Sequence, residues 1–232
     1  MKLLNLDHNA KTVKGQEKGF KTAILYLAPS DLSSQNLCPY ASKGCRAVCL
    51  NTAGHGAFQN VQQARLKKSE YFNTDRTRFM NQLVDELGKF TIKAERDGFT
   101  PVVRLNGTSD IIWERIPVAG EPSIMDVFST VQFYDYTKIP IRYRKNRPAN
   151  YHLTFSLSEN NDAHAIEALE HGVNVAVVFD TNLPKSFMSR PVIDGDVDDL
   201  RFEVNNEYNG VVVGLRAKGK ARKDTSGFVR LA

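Results

Sequence analysis

Residues 36–56 read Asn-Leu-Cys-Pro-Tyr-Ala-Ser-Lys-Gly-Cys-Arg-Ala-Val-Cys-Leu-Asn-Thr-Ala-Gly-His-Gly and contain every cysteine of the chain, Cys38, Cys45 and Cys49. The preceding segment, 22–27, reads Thr-Ala-Ile-Leu-Tyr-Leu, a short apolar run that is typical of a strand. From about residue 58 onward the apolar residues recur with helical spacing. The cysteines are therefore predicted to lie in a loop that joins a strand to a helix.

The alternation of strand and helix continues along the chain. Further strands are predicted at 101–105, 131–136, 151–157, 173–179 and 211–215, and helices at 58–96 with a break at 73–75, at 124–128 and at 162–171. Residues 1–20 are predicted to be irregular or an edge element. This pattern indicates a single α/β domain over residues 1–232 with a mainly parallel sheet. A doubly wound layer and a full or partial (β/α) TIM-like barrel both fit, and we favour the barrel.

The composition is that of a globular protein, because 41% of the 232 residues are hydrophobic and 25% are charged. No apolar run approaches the roughly 20 residues that a membrane helix needs, and the N-terminus has no signal-peptide pattern. We therefore expect a cytoplasmic protein without a membrane partner. Three cysteines are an odd number, whereas a disulfide framework is usually even. In a reducing compartment such a cluster indicates a metal or cofactor site.

The cysteine spacing is C-x6-C-x3-C, so that Cys45 and Cys49 would lie on one face of a helical turn. A [4Fe–4S] cluster is the preferred interpretation, because such clusters take thiolate ligands and three protein thiolates leave one iron for another ligand. Zinc is an alternative, with His55 as a fourth ligand, although the usual tight pair of cysteines is missing. Three buried, inert thiols are the remaining possibility.

Polar residues follow several of the predicted strands, at the edge of the sheet where α/β proteins bind their ligands. Eight of them are expected to orient a small-molecule or anionic substrate: Arg104, Asn106, Ser109, Asp110, Ser158, Glu159, Arg216 and Lys218. Arg216 and Lys218 would hold the anionic part of it. For any one of these residues alone, an ordinary cap or turn is the simpler explanation. The sequence does not single out a catalytic residue.

The net charge of +5 permits an anionic partner. Two stretches, 142–147 and 216–223, hold much of the basic excess. A solvated face is the simpler interpretation of both, and a phosphate or nucleic-acid contact is the sharper one. The acidic turn 192–199 is predicted to be a solvated loop, because it lacks the full spacing of a calcium-binding loop.

A cysteine triad after the first strand of a partial (β/α) barrel resembles the radical S-adenosylmethionine enzymes. In that family three cysteines bind a [4Fe–4S] cluster, and the methionyl group of the cofactor takes the open iron. The family triad is C-x3-C-x2-C, whereas the triad here is C-x6-C-x3-C. The glycine-glycine-glutamate that follows the second strand in the family is replaced by Asn-Gly-Thr at 106–108. The resemblance implies S-adenosylmethionine as a candidate cofactor.

Four blocks of sequence resemble the bacteriophage proteins of the gene product 88 type. They are 25–29, 38–54, 104–110, and 214–220 together with 224–228. The resemblance implies a viral origin and expression in the cytoplasm of a bacterial host, and it leaves association with the virion open. It implies no settled activity.

Two functions are compatible with these observations. The preferred one is an iron–sulfur enzyme whose open iron binds S-adenosylmethionine or acts on a substrate directly. The alternative is a structural or binding protein, in which a cluster or zinc staples the cysteine loop. In that case the basic C-terminal segment would contact nucleic acid or a virion partner.

Overall fold

The computed structural model describes residues 1–6, 10–30, 32–140, 142, 147–204 and 209–232. Its strands are β1 (Leu4–Leu6), β2 (Phe20–Leu25), β3 (Thr100–Arg104), β4 (Gln132–Thr137), β5 (Tyr151–Ser156), β6 (Val175–Phe179), β7 (Ser186–Phe187), β8 (Arg190–Asp194) and β9 (Val212–Arg216). Its α-helices are α1 (Ala10–Gln16), α2 (Lys43–Ala47), α3 (Gln59–Thr74), α4 (Arg76–Arg96), α5 (Ile124–Val127) and α6 (Asp162–Glu170). Short 3₁₀ turns include Leu50–Thr52, Gly54–Ala57, Arg201–Glu203 and Gly219–Lys223.

The described strands form one nine-stranded sheet in the order β1-β2-β3-β4-β5-β6-β9-β8-β7. The seven strands from β2 to β8 in this order are parallel to one another. The two edge strands, β1 and β7, are antiparallel to their neighbours. The predicted α/β class with a mainly parallel sheet is therefore confirmed.

The sheet is open, so the described strands do not form the closed barrel that was expected. Its two edges are β1 and β7, which pair only with β2 and β8 respectively. Closure of a barrel requires the two edge strands to pair with each other at a consistent stagger. Here the edges are only three and two residues long, so each ends the ladder instead of continuing it.

One face of the sheet, the helical face, carries the main hydrophobic core. Val103 and Phe133 point to this side, where α3 and α4 supply Phe72, Leu83 and Leu87. On α4, Leu83 and Leu87 are four residues apart and belong to an apolar stripe along one side of the helix, and this side packs on the sheet. Farther along the sheet, α6 packs on β5 and β6 in a second cluster. The long helical pattern of the sequence is thus explained by burial on this face.

The opposite face, the polar face, is covered by the segment 195–204 and by α1. Leu200 packs there against Val102 and Tyr134, and Gly15 of α1 comes close to the side chain of Leu200. At its centre Asp199 accepts a hydrogen bond from Tyr136 (3.1 Å) and forms an ion pair with Arg104 at 2.9 Å. The acidic turn is therefore not a solvated loop, because Asp198 and Asp199 are both buried.

The predicted break near residue 75 is confirmed, since α3 ends at Thr74 and α4 begins at Arg76. The Asp75 carboxylate caps α4 by accepting a hydrogen bond from the Arg78 amide at 3.1 Å. The sequence did not predict α1 or the hairpin of β7 and β8. Both are short elements that lack a strong apolar period, and their residues are mostly half-buried or exposed.

Candidate metal centre

The cysteine loop crosses the carboxyl edge of the sheet between β2 and α3. Cys38 precedes α2, and its carbonyl accepts a hydrogen bond from the Ala41 amide at 3.0 Å. Cys45 lies within α2, and Cys49 follows the end of α2. The helical turn that was expected to present Cys45 and Cys49 on one face ends at Ala47. Cys49 has an extended backbone, with φ −53° and ψ 134°. This expectation is wrong, because the helix stops before its turn reaches Cys49.

All three thiols are free and half-buried. Burial raises the pKa of Cys38 to about 12, and Asp110, Cys49 and Cys45 add to the effect. Burial also raises the pKa of Cys49, to which Cys45 contributes. The Cys38 thiol donates to the carbonyl of Thr108 at 3.5 Å. The structure thus brings the three thiols within electrostatic reach of one another, and it disfavours the ionisation of Cys38 and Cys49 in the metal-free protein.

The thiols do not converge on one point. Among the residues that the structure describes, no three His, Cys, Asp or Glu side chains are arranged to hold a metal ion. His55, the candidate fourth ligand, is exposed and stacks on Phe58 with ring centroids 5.8 Å apart. The ligand set of Cys38, Cys45, Cys49 and His55 therefore stays a prediction. Its chemistry suits a cluster or zinc, and loading would have to draw the thiols together.

Glu159 fixes the beginning of α2. Its carboxylate accepts one hydrogen bond from the Ser42 hydroxyl and one from the Gly44 amide, both at 2.7 Å. Ser42 in turn accepts a hydrogen bond from the Cys45 amide at 3.1 Å and so caps the helix. Burial alone would raise the pKa of Glu159, but these hydrogen bonds hold it below its ordinary value. Glu159, predicted as a ligand-orienting residue, thus positions the cysteine loop itself.

Gly44 is required at this junction because there is no room for a side chain. A Cβ added there would lie 2.7 Å from the Glu159 carboxylate and would also meet the Ser226 hydroxyl. The C-terminal segment that carries Ser226 packs on the loop, and Val48 contacts Ala217 and Ala221 in a small apolar cluster. The loop is therefore held between β5 and the end of the chain.

The far end of the cysteine loop is held by a buried arginine from α3. The Arg65 guanidinium donates to the Asn51 side chain at 2.6 Å and lies over the Tyr26 ring at 4.9 Å. Nothing in the local sequence around Arg65 or Asn51 pointed to this role, because the two residues are fourteen positions apart and each looks like an ordinary surface residue. They were missed, as were Ser42 and Ser226.

Asn106 and Ser109 form a buried bracket after β3. The Asn106 side-chain oxygen accepts hydrogen bonds from the Ser109 hydroxyl and the Trp113 indole, each at 3.0 Å. The backbone N–H of Asn106 donates to the Asp135 carboxylate at 2.7 Å. These polar atoms are engaged within the fold, so the two predicted ligand-orienting residues serve here to shape the strand end.

Asp110 and Arg104 are also engaged with partners inside the protein. Asp110 accepts hydrogen bonds from the Thr137 hydroxyl at 2.8 Å and from the Lys138 amide at 2.7 Å, and it pairs with Arg142 at 3.2 Å. Arg104 points to the polar face, where Asp199 is its partner. Of these two residues, only Asp110 acts electrostatically on a cysteine, Cys38.

The basic stretch 142–147 is not simply a solvated face, because Arg142 is buried and also pairs with Glu114 at 2.8 Å. Residues 143–146 lie outside the described part of the chain. In the second stretch, Arg216 and Lys218 pair with the acidic turn: Arg216 contacts Asp194 at 3.0 Å, and Lys218 contacts Asp196 at 2.8 Å. The two cations chosen to hold an anionic ligand therefore already have carboxylate partners.

Ser158 lies at the end of β5, next to Glu159. Its carbonyl accepts a hydrogen bond from Arg230 at 2.9 Å, and its hydroxyl contacts the Asn160 side chain at 3.1 Å. Arg230 also pairs with Asp162 at 2.9 Å, at the start of α6. Ser158 therefore helps to anchor the C-terminal segment at the carboxyl edge.

The unfolding free energy should depend on pH through Asp135, which lies beneath this edge and accepts a hydrogen bond from Tyr151 at 2.8 Å. Burial raises its pKa to about 7, against the ordinary 3.8. Between pH 3.8 and pH 7 the Asp135 carboxyl therefore keeps a proton in the folded state that it has released in the unfolded state. The stabilisation that the neutral carboxyl gives the folded state is lost as the pH rises through 7. We expect the unfolding free energy of Asp135→Asn, relative to wild type, to rise by about 2–4 kcal/mol between pH 4 and pH 8.

Chemical denaturation at several pH values measures this difference, with the buried Trp113 as the fluorescent probe. Subtracting the two curves removes groups that titrate in both proteins, such as His152, whose pKa burial lowers to about 4. Parallel curves for variant and wild type would contradict the assignment.

Fold and site together define an α/β protein with an anchored cysteine loop at the carboxyl edge of an open, mainly parallel sheet. The chain belongs to the family Gene product 88, whose model matches residues 2–231. No curated protein and no solved structure matches it. The resemblance to gene product 88 is thereby confirmed, whereas these comparisons do not show a similarity to radical S-adenosylmethionine enzymes. Among the described helices, none is both long and apolar enough to cross a bilayer.

Proposed function

We propose that this protein is an iron–sulfur enzyme that holds a [4Fe–4S] cluster on Cys38, Cys45 and Cys49. The observation that supports this most is the anchored loop, which gathers all three free thiols of the chain at the carboxyl edge of the sheet. Ligand sites of parallel α/β proteins lie at this edge. Three thiolates satisfy three irons of such a cluster and leave the fourth iron open.

The chemistry of the site fits the cluster. Burial raises the pKa of Cys38, and Asp110, Cys49 and Cys45 add to the effect, so the Cys38 thiolate is unfavourable without a cation. A bound metal reverses this preference, because it coordinates the deprotonated form. Glu159, Ser42 and Arg65 hold the loop from outside, in the way that outer groups orient the ligands of metal sites.

A bound cluster would supply an open iron for S-adenosylmethionine, or for a substrate that it polarises or reduces. The protein would contribute the placement of this iron through Glu159 and Arg65. Asp110 would set the charge beside Cys38. A bacteriophage protein of this kind would act in the cytoplasm of its bacterial host.

A structural role for the loop is the second candidate. It is favoured by the packing of Val48 on Ala217 and Ala221, which ties the loop to the C-terminal segment. In that role a cluster or a zinc ion with a closed ligand set, such as one that includes His55, would staple the two together.

The test is anaerobic purification followed by analysis of iron, sulfide and zinc, with EPR of the reduced protein. We expect about four irons and four sulfides per chain, which are lost in Cys45→Ala. The control is Gln35→Ala, on an exposed residue shortly before Cys38, which should keep them. A shift of the EPR signal on addition of S-adenosylmethionine would support the enzyme over the structural role. One zinc per chain without sulfide would overturn the proposal.

A further inference from the structure

We infer that the surface beside the cysteine loop binds single-stranded nucleic acid, with Lys220 and Lys223 holding its phosphates. This goes beyond the proposed function and does not depend on a cluster. This surface consists of α2, the turn Gly219–Lys223 and the exposed aromatic residues Tyr40 and Phe58.

An open cavity of about 340 Å³ lies between the end of α2 and the C-terminal segment, and Ala47, Val48, Lys220, Lys223 and Thr225 line it. Its size is in the range of small-ligand sites. Two ammonium groups and a hydroxyl at one cavity are the groups that contact phosphates in protein–nucleic acid complexes. The cavity therefore offers a place for a backbone phosphate.

The cations of this surface are available, in contrast to Arg216 and Lys218. Lys43, Lys220 and Lys223 are exposed, and none of them has an ion-pair or hydrogen-bond partner in the described part of the chain. Asp224 also lines the cavity, but its carboxylate accepts hydrogen bonds from the Ser226 hydroxyl at 2.7 Å and the Val229 amide at 2.9 Å. The local charge is thus complementary to a polyanion.

The cysteine loop, which adjoins this basic turn, carries exposed aromatic side chains. The exposed fraction is 54% for Tyr40 and 58% for Phe58, and the Phe58 ring stacks on His55. The loop and the basic turn touch, since a Cβ on Gly219 would lie 3.2 Å from the Ala53 side chain. Unpaired bases stack on such rings, whereas a free phosphate has no group that could stack on them. This combination favours a single strand.

The test is fluorescence anisotropy of the full-length protein with a labelled 12-nucleotide DNA and the matching RNA, as a function of salt. We expect Lys220→Ala/Lys223→Ala to weaken binding at least tenfold and to reduce the salt slope by about 1.4, since each single-strand phosphate contact contributes about 0.7. Phe58→Ala should weaken binding by about tenfold with an unchanged slope. The control is Lys89→Ala/Lys93→Ala on the exposed side of α4, which should bind as wild type does.

Three results would overturn the proposal: no salt-dependent binding by wild type, equal losses in the Lys89/Lys93 control, or binding of a mononucleotide as strong as that of the 12-mer. Circular dichroism of each variant shows that it is folded. Iron and sulfide are measured in the same samples. If wild-type protein that contains the cluster does not bind the 12-mer, this inference fails and the proposed function stands. If wild-type protein that contains no cluster binds the 12-mer, this inference stands and the proposed function fails.

Discussion

Replacing Asp199 with alanine will lower the free energy of unfolding by about 3–5 kcal/mol. Asp199 is buried at the centre of the polar face, where it pairs with Arg104 at 2.9 Å and accepts hydrogen bonds from Tyr134 at 3.3 Å and Tyr136 at 3.1 Å. Burial alone would raise its pKa, but Arg104 and Arg201 hold the pKa below its ordinary value. The carboxylate is therefore charged in the folded protein.

The large effect follows from the partner that remains. Without Asp199 the guanidinium of Arg104 stays buried, and its charge has then lost its ion-pair partner. Two tyrosine hydroxyls lose their acceptor at the same time, which adds the cost of unsatisfied buried donors. Leu200, which closes the polar face, is the next residue in the chain, so loss of the anchor should also loosen this cover.

Urea denaturation followed by Trp113 fluorescence measures this change. The matched control is Asp194→Ala, which also removes an aspartate from an arginine pair, but at the surface, where both side chains are about two-fifths exposed. Such exposed pairs contribute about 0–1 kcal/mol. Equal losses in the two variants would show that the polar face is not held by Asp199.

Replacing Glu159 with alanine will release the beginning of α2 and, under the proposed function, weaken retention of the cluster by the cysteine loop. Glu159 is the acceptor for both the Gly44 amide and the Ser42 hydroxyl, and Ser42 caps the helix that carries Cys45. In metal sites, loss of such outer contacts typically weakens metal binding by about 10–100-fold. We expect the loaded protein to lose its iron to a chelator at least about tenfold faster.

A second readout needs no metal. In the metal-free protein the backbone amides of Gly44 and Cys45 should exchange with deuterium faster in Glu159→Ala. The Gly44 amide loses its acceptor, the Glu159 carboxylate. The acceptor of the Cys45 amide is the Ser42 hydroxyl, which Glu159 no longer holds in place. Glu159→Gln, which keeps an acceptor oxygen, should lie between the variant and wild type. Glu95→Ala, an exposed glutamate near the end of α4, is the control. Unchanged exchange at Gly44 would contradict the positioning role even if iron were lost.

Much of the fold was predictable because it is written in local patterns. The apolar run at 173–179 and the stripe of α4 predicted a buried strand and an amphipathic helix, and both are present. The capping role of Asp75 was also visible, since caps act within one turn of the chain. Barrel closure was not predictable, because it depends on whether two distant edges pair, and here they do not.

The candidate site divides in the same way. Sequence alone identified the three cysteines and predicted that they lie after the first parallel strand, because thiol chemistry and strand pattern are properties of single residues and short segments. It also placed Glu159 and Asp110 at the correct edge. It did not show what these groups contact, and Arg216 and Lys218 turned out to be paired with carboxylates more than twenty residues away.

The sequence by itself determined most of the strands and helices, their order and the family resemblance, and it predicted the ligand chemistry of the loop. Only the tertiary structure decided which polar groups hold the loop and which cations remain available to a partner. The reason is sequence separation: Glu159 lies 117 residues from Ser42, and Arg104 lies 95 residues from Asp199. Such contacts form only when the sheet brings distant segments together, and they have no periodicity along the chain that a sequence pattern can show.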